Sequence, residues 1–95
     1  MRKHLNIKIY GRVQGVLFRY SAKQKAKESG IKGFVRNELD GTVYIEAEGE
    51  EENLKQFLDW CHKGPFFASV KKVEVKESDI KNFDDFVILY KETYE

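Results

Sequence analysis

The stretch GRVQGVLFRYSAKQKA, from Gly11 to Ala26, combines two glycines and several cations with no acid. Its second half has the composition of a helix start, where up to four backbone N–H groups lack intrahelical partners. A Ser, Thr, Asp or Asn side chain usually accepts from these groups. No such residue occurs from Arg12 to Arg19, and the first acid downstream is Glu28. The pattern therefore predicts a helix start that is open to an external anion.

Two further features of the stretch favour an anion site. Gly11 and Gly15 allow the left-handed dihedrals that turn successive N–H groups into a concave nest. Arg19, in the first helical turn, has a planar guanidinium that matches phosphate or carboxylate oxygens. A cation there opposes the helix dipole, so stability alone does not explain it. The alternative is a solvated turn with two permissive glycines and a surface arginine. The glycine spacings of a P-loop and of dinucleotide-binding folds are both absent from the sequence.

Asn37 is a second polar residue with a possible chemical role. It ends a predicted strand just before a hairpin turn, and taken alone it is best explained as a turn-forming residue. Its amide carries both a donor and an acceptor, so it could instead orient a water molecule. The strand before the hairpin can lie close to the glycine-rich loop, which would let the two face one site.

For the other residues with reactive or metal-binding side chains, a structural role is the better explanation. Cys61 falls on the apolar face of a predicted helix, which indicates a buried thiol rather than a nucleophile. His4 and His62 lack the spacing of zinc ligands. Asp84 and Asp85 indicate a solvated turn rather than a magnesium site. No metal and no cofactor are expected.

The elements that must position these residues can be predicted from hydrophobic periodicity and turn signals. Residues 4–10, 31–37, 42–48, 69–77 and 83–90 have strand character, and the two helices begin near Tyr20 and Glu50. In the second helix, Leu54, Phe57, Leu58 and Cys61 share one face. The order is β-α-β-β-α-β-β. It predicts a ferredoxin-like α+β sandwich, an antiparallel sheet of four to five strands with both helices on one face.

Length and composition set the remaining expectations. The chain has 95 residues, of which 41% are hydrophobic and 35% charged, so one globular domain over residues 1–95 is predicted. Residues 1–40 hold ten Lys and Arg against three Asp and Glu, a net of +7, whereas residues 41–95 hold seven against thirteen, a net of −6. A basic first half suits an anionic ligand, although solvated charges distributed unevenly would give the same count. One cysteine and no apolar run of membrane length favour a cytoplasmic monomer without a membrane partner.

Two motifs give the sequence a resemblance to the acylphosphatase family. GRVQGVLFR resembles that family's phosphate loop, G-x-V-Q-G-V-x-F-R, and GIKGFVRNELDGTV resembles its G-x-x-G-[WFY]-V-x-N-x-x-[DN]-G-x-V segment. Glu48–Gly49, Gly64–Pro65 and the F-x-I-x-Y pattern of residues 86–90 follow in the family's order. The resemblance covers nearly the whole chain. Without Cys-x-x-Cys zinc motifs, the chain looks like the free enzyme rather than the related domain of hydrogenase-maturation proteins.

The resemblance implies a reaction and a set of site residues. The activity would be hydrolysis of acyl phosphates, small-molecule substrates, to carboxylate and phosphate. The family's catalytic arginine and asparagine correspond to Arg19 and Asn37. Its phosphate-binding loop corresponds to Gln14, Gly15, Val16, Leu17, Phe18 and Arg19. The resemblance also suggests that a substrate oxygen accepts the proton of the attacking water, with no covalent enzyme intermediate.

Three departures from the family pattern bear on efficiency rather than on reaction type. Phe34 stands where the family often has Trp, Leu89 where it often has Arg, and Leu17 at a variable loop position. Because Leu89 replaces an arginine that would point outward, one supporting contact is expected to be lost.

Two other classes of function fit the same topology. RNA-recognition domains share it, but they stack bases on aromatic side chains of central strands, and here the third strand carries only Tyr44 on its outward face. Nucleic acid is therefore not expected as a partner. A catalytically idle phosphate-binding module is the other alternative, and it would bind phosphate without turnover.

Overall fold

The computed structural model describes residues 1–90 and contains the predicted order of elements; residues 91–95 of the predicted domain lie outside the described residues. The elements are β1 (Arg2–Arg12), α1 (Phe18–Glu28), β2 (Lys32–Asn37), β3 (Val43–Glu50), α2 (Glu51–Lys63), β4 (Ser69–Ser78) and β5 (Phe86–Leu89). The last strand is shorter than its hydrophobic pattern predicts. No helix among these residues is long and apolar enough to cross a membrane.

All five strands form one sheet in the order β4-β1-β3-β2-β5. The predicted antiparallel pairing is found for β1 with β3, β1 with β4 and β2 with β3. β5 instead pairs parallel with β2, so the sheet is mixed. The reason is the connection from β4, which crosses the sheet at the end where β4 stops. β5 therefore runs antiparallel to β4 and in the same direction as β2.

One hydrophobic core lies between the sheet and the two helices, as expected for the ferredoxin-like fold. Alternate strand residues such as Ile7, Ile9 and Ile45 are fully buried there. α1 contributes Ala22 and Ala26, and packs against β2 and β5. α2 contributes the predicted face, with Leu54, Phe57 and Cys61 buried and Leu58 partly buried, and packs against β3 and β4.

A buried polar cluster lies on the opposite face of the sheet, at the end away from the hairpin turn. The His4 ring nitrogens lie 2.8 Å from Glu48 Oε2 and 2.8 Å from Glu46 Oε1. The segment 79–85, between β4 and β5, covers the cluster, and the N–H groups of Lys81 and Phe83 donate to the Glu48 carboxylate. Burial by itself would raise the pKa of Glu48, but these N–H groups and His4 lower it to about 2.

The strand directions bring three chain segments to one end of the sheet. β1 and β2 are both antiparallel to β3, so they run in the same direction and stop at the same end. Ile9 of β1 and Asn37 of β2 both pair with Val43, one on each side of it. Leu89 of β5 pairs with Arg36, which places Tyr90 at the same level as Asn37. The loop after β1, the end of β2 and the end of β5 are therefore neighbours.

Candidate active site

The start of α1 is open, as the sequence predicts. Leu17 is the N-cap residue, in the left-handed conformation at φ 65° and ψ 24°, and no side chain makes a cap hydrogen bond. The first turn contains no acidic residue. The N–H groups of this turn have no intrahelical acceptors, so they present donors and the positive end of the helix dipole to a ligand.

The two glycines of the loop serve different purposes. Gly15 has φ 74° and lines a cleft at the helix start, which fits the predicted nest of N–H groups. Gly11 has φ 127° and lies at a β-bulge, where a Cβ atom would be 2.2 Å from the carbonyl oxygen of Ser69. Gly11 therefore permits close approach of β4 and does not line the cleft.

Arg19 and Asn37 line the same cleft, which has a volume of about 320 Å³. It is bordered by Val13, Gly15, Leu17, Phe18, Arg19, Tyr20, Asn37, Ile88 and Tyr90. Within residues 1–90 the Arg19 guanidinium has no carboxylate partner. Its Cζ lies 5.3 Å from the centre of the Tyr90 ring, a cation–π contact. The cleft thus combines a guanidinium and an amide with the open helix start.

The predicted phosphate loop divides into cleft-lining and supporting residues. Gly15, Leu17, Phe18 and Arg19 border the cleft, whereas Gln14 and Val16 do not. The Gln14 side chain donates from Nε2 to the carbonyl oxygens of Glu38 and Thr42, at 2.8 and 2.9 Å. Val16 is buried in the core. Gln14 therefore joins the loop to the β2–β3 hairpin.

The hairpin turn after Asn37 is held by Asp40. Its Oδ1 accepts from the Thr42 hydroxyl at 2.6 Å and from the Thr42 N–H at 3.0 Å, and Lys8 Nζ lies 3.0 Å from its other oxygen. These contacts, led by the Thr42 hydroxyl, lower the pKa of Asp40 to about 2. The turn is thus fixed by ionised Asp40, and Asn37 is not needed as its hydrogen-bonding residue.

Tyr20, Tyr90, Val13 and Ile88 also line the cleft, but local sequence reasoning did not select them for the site. Tyr90 matched the family pattern, and only the parallel pairing of β5 with β2 brings it beside Arg19. For Tyr20, the signal in the sequence that could have placed it in the site was its position one residue after Arg19.

The side chains to which the sequence analysis gave a structural role lie away from this cleft. Cys61 is fully buried in the core, and burial raises the pKa of its thiol, which disfavours the nucleophilic thiolate. Asp85 accepts from the Phe86 N–H at 2.8 Å and from Lys27 at 3.1 Å, a turn role. Across residues 1–90 no group of three or more His, Cys, Asp or Glu is arranged to hold a metal ion. Leu89 is half-buried beside Arg36 and does not border the cleft.

Together the fold and the cleft define a ferredoxin-like α+β protein with an uncapped helix start that borders a cleft. The sequence model of the acylphosphatase family matches residues 5–88. Acylphosphatase from Archaeoglobus fulgidus is 49% identical over 86 residues, which are 90% of this chain and 97% of that protein. Acylphosphatase from Thermotoga petrophila is 47% identical over 88 residues, 93% of this chain and 98% of that protein. The crystal structure of the acylphosphatase from Bacillus subtilis superimposes with a TM-score of 0.90 at 37% identity, covering 95% of this chain and 100% of that one.

The chain belongs to the acylphosphatase family. It is accordingly an enzyme of the hydrolase class that acts on acyl phosphates, and the resemblance carried by the two sequence motifs is confirmed.

Proposed function

We propose that this cleft hydrolyses acyl phosphates by in-line attack of a positioned water on phosphorus, without a metal ion or a covalent enzyme intermediate. The backbone N–H groups from Gly15 onward and the Arg19 guanidinium bind the phosphoryl oxygens, and Asn37 orients the water. The observation that carries the proposal is the joint presence of Arg19 and Asn37 in the cleft at the uncapped start of α1.

Binding of the phosphoryl group is supported by donors that have no acceptor within the described chain. The N-cap residue Leu17 supplies no side-chain acceptor, and Arg19 has no carboxylate partner among residues 1–90. Preorganised donors aimed at developing charge cost no reorganisation during the reaction. Phosphoryl transfer relies mainly on such electrostatics and on positioning. The loop therefore supplies most of what the reaction requires.

Positioning of the water is supported by the way the hairpin is held. Gln14 joins the loop to the hairpin, and Asp40 fixes the turn after Asn37. Within the described residues, the Asn37 amide makes no side-chain hydrogen bond, so its donor and acceptor are free for a ligand. A water molecule that accepts from the amide N–H₂ and donates to the amide oxygen would be held in one orientation.

The proton balance follows from the chemistry of these groups. The water oxygen forms a bond to phosphorus, and the bond from phosphorus to the acyl oxygen breaks with its electron pair leaving on the carboxylate. Neither an amide nor a guanidinium takes up a proton near neutral pH. The proton of the water therefore passes to a phosphoryl oxygen of the substrate, and the products are a carboxylate and inorganic phosphate.

The chain is further proposed to act as a single domain, as a monomer in the cytoplasm, and without nucleic acid. One sheet and one core include all elements of residues 1–90, which supports a single domain. The single cysteine suits a reducing compartment. Sedimentation velocity with and without added RNA measures the mass in solution, and a dimer or a complex would contradict this part.

The test of the reaction is hydrolysis of benzoyl phosphate by the purified protein without added metal, in buffer and in EDTA. Both conditions are expected to give the same rate, and ¹⁸O from labelled water should appear in phosphate rather than in benzoate. Arg19→Ala and Asn37→Ala should each lower kcat about 100-fold or more. Arg12→Ala and Asn53→Ala, at positions outside the cleft, are the matched controls.

Different failures have different meanings. Label in benzoate would indicate attack at the carbonyl carbon and would overturn the mechanism. Full activity in both cleft variants would overturn the residue assignment. If no acyl phosphate is hydrolysed while inorganic phosphate still raises the melting temperature, the chain is a phosphate-binding module.

A further inference from the structure

One wall of the cleft consists of large apolar side chains that are exposed to solvent. Leu17 is 71% exposed, Tyr20 57% and Tyr90 75%. All three border the cleft together with Arg19 and Asn37. Exposed apolar surface in a groove of a small protein usually marks a site that binds something apolar. In this cleft the surface lies directly beside the proposed phosphoryl site.

Leu17 is placed there against its own conformational preference. Its φ of 65° is in the left-handed region, which costs a residue with a Cβ atom about 1–2 kcal/mol. Its side chain is mostly exposed, so burial in the core does not offset this cost. Glycine or asparagine would adopt the same backbone at lower cost. A strained, exposed leucine at the mouth of a cleft therefore points to a ligand contact.

The charges of the cleft restrict the kind of ligand. Among the described residues that line it, Arg19 is the only one with an ionised side chain at neutral pH. Arg19 is assigned to the phosphoryl group, so a second charge on the ligand would find no partner on the wall. An apolar group would gain free energy by covering the exposed side chains.

Resting on the proposed function, we propose that the wall formed by Leu17, Tyr20 and Tyr90 makes this enzyme selective for acyl phosphates whose acyl group is apolar. Leu17 is the N-cap residue and Tyr20 lies in the first turn, so both side chains extend beside the helix start where the phosphoryl group is bound. The acyl group that is bonded to that phosphoryl group lies within reach of them. Aromatic and branched aliphatic acyl groups fit this wall, whereas acyl groups that carry a carboxylate or an ammonium do not.

The test compares substrates that differ only in the acyl group. We expect kcat/KM for benzoyl phosphate to exceed that for 4-carboxybenzoyl phosphate by about 10-fold or more. In Leu17→Ala, the ratio of kcat/KM for benzoyl phosphate to that for acetyl phosphate should fall about 10-fold. A loss of kcat/KM that is equal for both substrates cancels in this ratio. Asparagine tolerates the left-handed backbone conformation, so Leu17→Asn removes the apolar side chain without adding strain and should lower the ratio as well. Leu39→Ala, which removes a leucine that is 76% exposed outside the cleft, should leave the ratio unchanged.

Binding of unreactive analogues separates this inference from the proposed reaction. Benzoylphosphonate and acetylphosphonate lack the bridging oxygen, because their acyl carbon is bonded directly to phosphorus, and their dissociation constants can be measured by calorimetry without turnover. Tighter binding of benzoylphosphonate in the wild type, lost in Leu17→Ala, supports the apolar wall even if hydrolysis fails. Equal constants for the two phosphonates, or a substrate ratio that Leu17→Ala leaves unchanged, overturn the inference while the reaction itself can stand.

Discussion

The side-chain amide of Gln14 donates a hydrogen bond of 2.9 Å to the main-chain carbonyl of Thr42. A second bond, to Glu38, anchors the same amide at the other side of the hairpin turn. The loop that contains Gly15 is thus attached to the turn that follows Asn37. This attachment fixes the proposed phosphoryl site relative to the proposed water site.

Gln14→Ala should therefore reduce activity more than stability. Without the Gln14 amide, the Thr42 carbonyl oxygen still accepts from the Glu38 N–H, and the Glu38 carbonyl oxygen still accepts from the Gly41 N–H. We therefore expect a loss of only about 1 kcal/mol in the free energy of unfolding. Misplacement of the loop should lower kcat/KM about 10-fold. Urea denaturation and steady-state kinetics measure the two effects. Gln56→Ala, on the exposed side of α2, is the control, and equal activity in the two variants would show that the attachment is not needed.

Gly11→Ala and Gly15→Ala should have opposite profiles. At Gly11 a methyl group meets the Ser69 carbonyl oxygen and the backbone is strained, so the free energy of unfolding should fall by about 3 kcal/mol. At Gly15 nothing lies within 4 Å of the new Cβ atom, and only the backbone strain of about 1 kcal/mol is expected. Activity at a temperature where both variants are folded should nevertheless fall more in Gly15→Ala. The reverse order in activity would argue against a nest at Gly15.

Tyr90→Ala should weaken the positioning of Arg19. The ring lies 5.3 Å from the guanidinium carbon, and an exposed cation–π contact contributes about 0.5–1 kcal/mol. We expect the dissociation constant for inorganic phosphate to rise about 2- to 5-fold, measured by calorimetry. Tyr90→Phe keeps a ring and should show a smaller rise. Equal effects of the two substitutions would assign the role to the hydroxyl group instead.

Glu48→Gln should destabilise the protein at neutral pH and less so in acid. Because the native pKa of Glu48 is lowered to about 2, its ionised form stabilises the fold above the ordinary carboxyl range. That contribution is lost as pH falls from about 5 towards the native pKa. Removing one partner of a buried charged cluster costs about 3–5 kcal/mol. Urea denaturation from pH 7 to pH 3 should show the gap to wild type narrowing, while Glu28→Gln, an exposed control, should stay within about 0.5 kcal/mol.

Periodicity predicted the elements and the core-facing residues of this chain well, because alternation along β1 and β3 reflects burial against the helices. It did not predict burial of His4, Glu46 and Glu48 on the other face. These residues alternate with the core positions and have the polarity of a solvated face. Only the crossing of the segment 79–85 covers them, and a long-range crossing leaves no local pattern in the sequence.

In the site, too, the features with a local signal could be predicted and those that depend on long-range pairing could not. The open helix start and Arg19 could be predicted from missing cap residues, which is a local signal. Asn37 is locally best explained as a turn residue, and only the resemblance favoured the alternative of a water-orienting amide. The presence of Tyr90 beside Arg19 depends on which strand β5 pairs with. Because hydrophobic alternation is the same for either edge of the sheet, the sequence does not reveal that pairing.

The position of β3 between β1 and β2 has a kinetic consequence. Arg19 follows β1 and Asn37 ends β2, two strands that do not pair with each other and are joined through β3 at Val43 and its neighbours. The cleft can thus form only after the local β2–β3 hairpin has been joined by the non-local pairing of β1 with β3, and non-local pairings are slow to form. During refolding, helical signal should return before enzymatic activity, and the return of activity should mark closure of the central sheet.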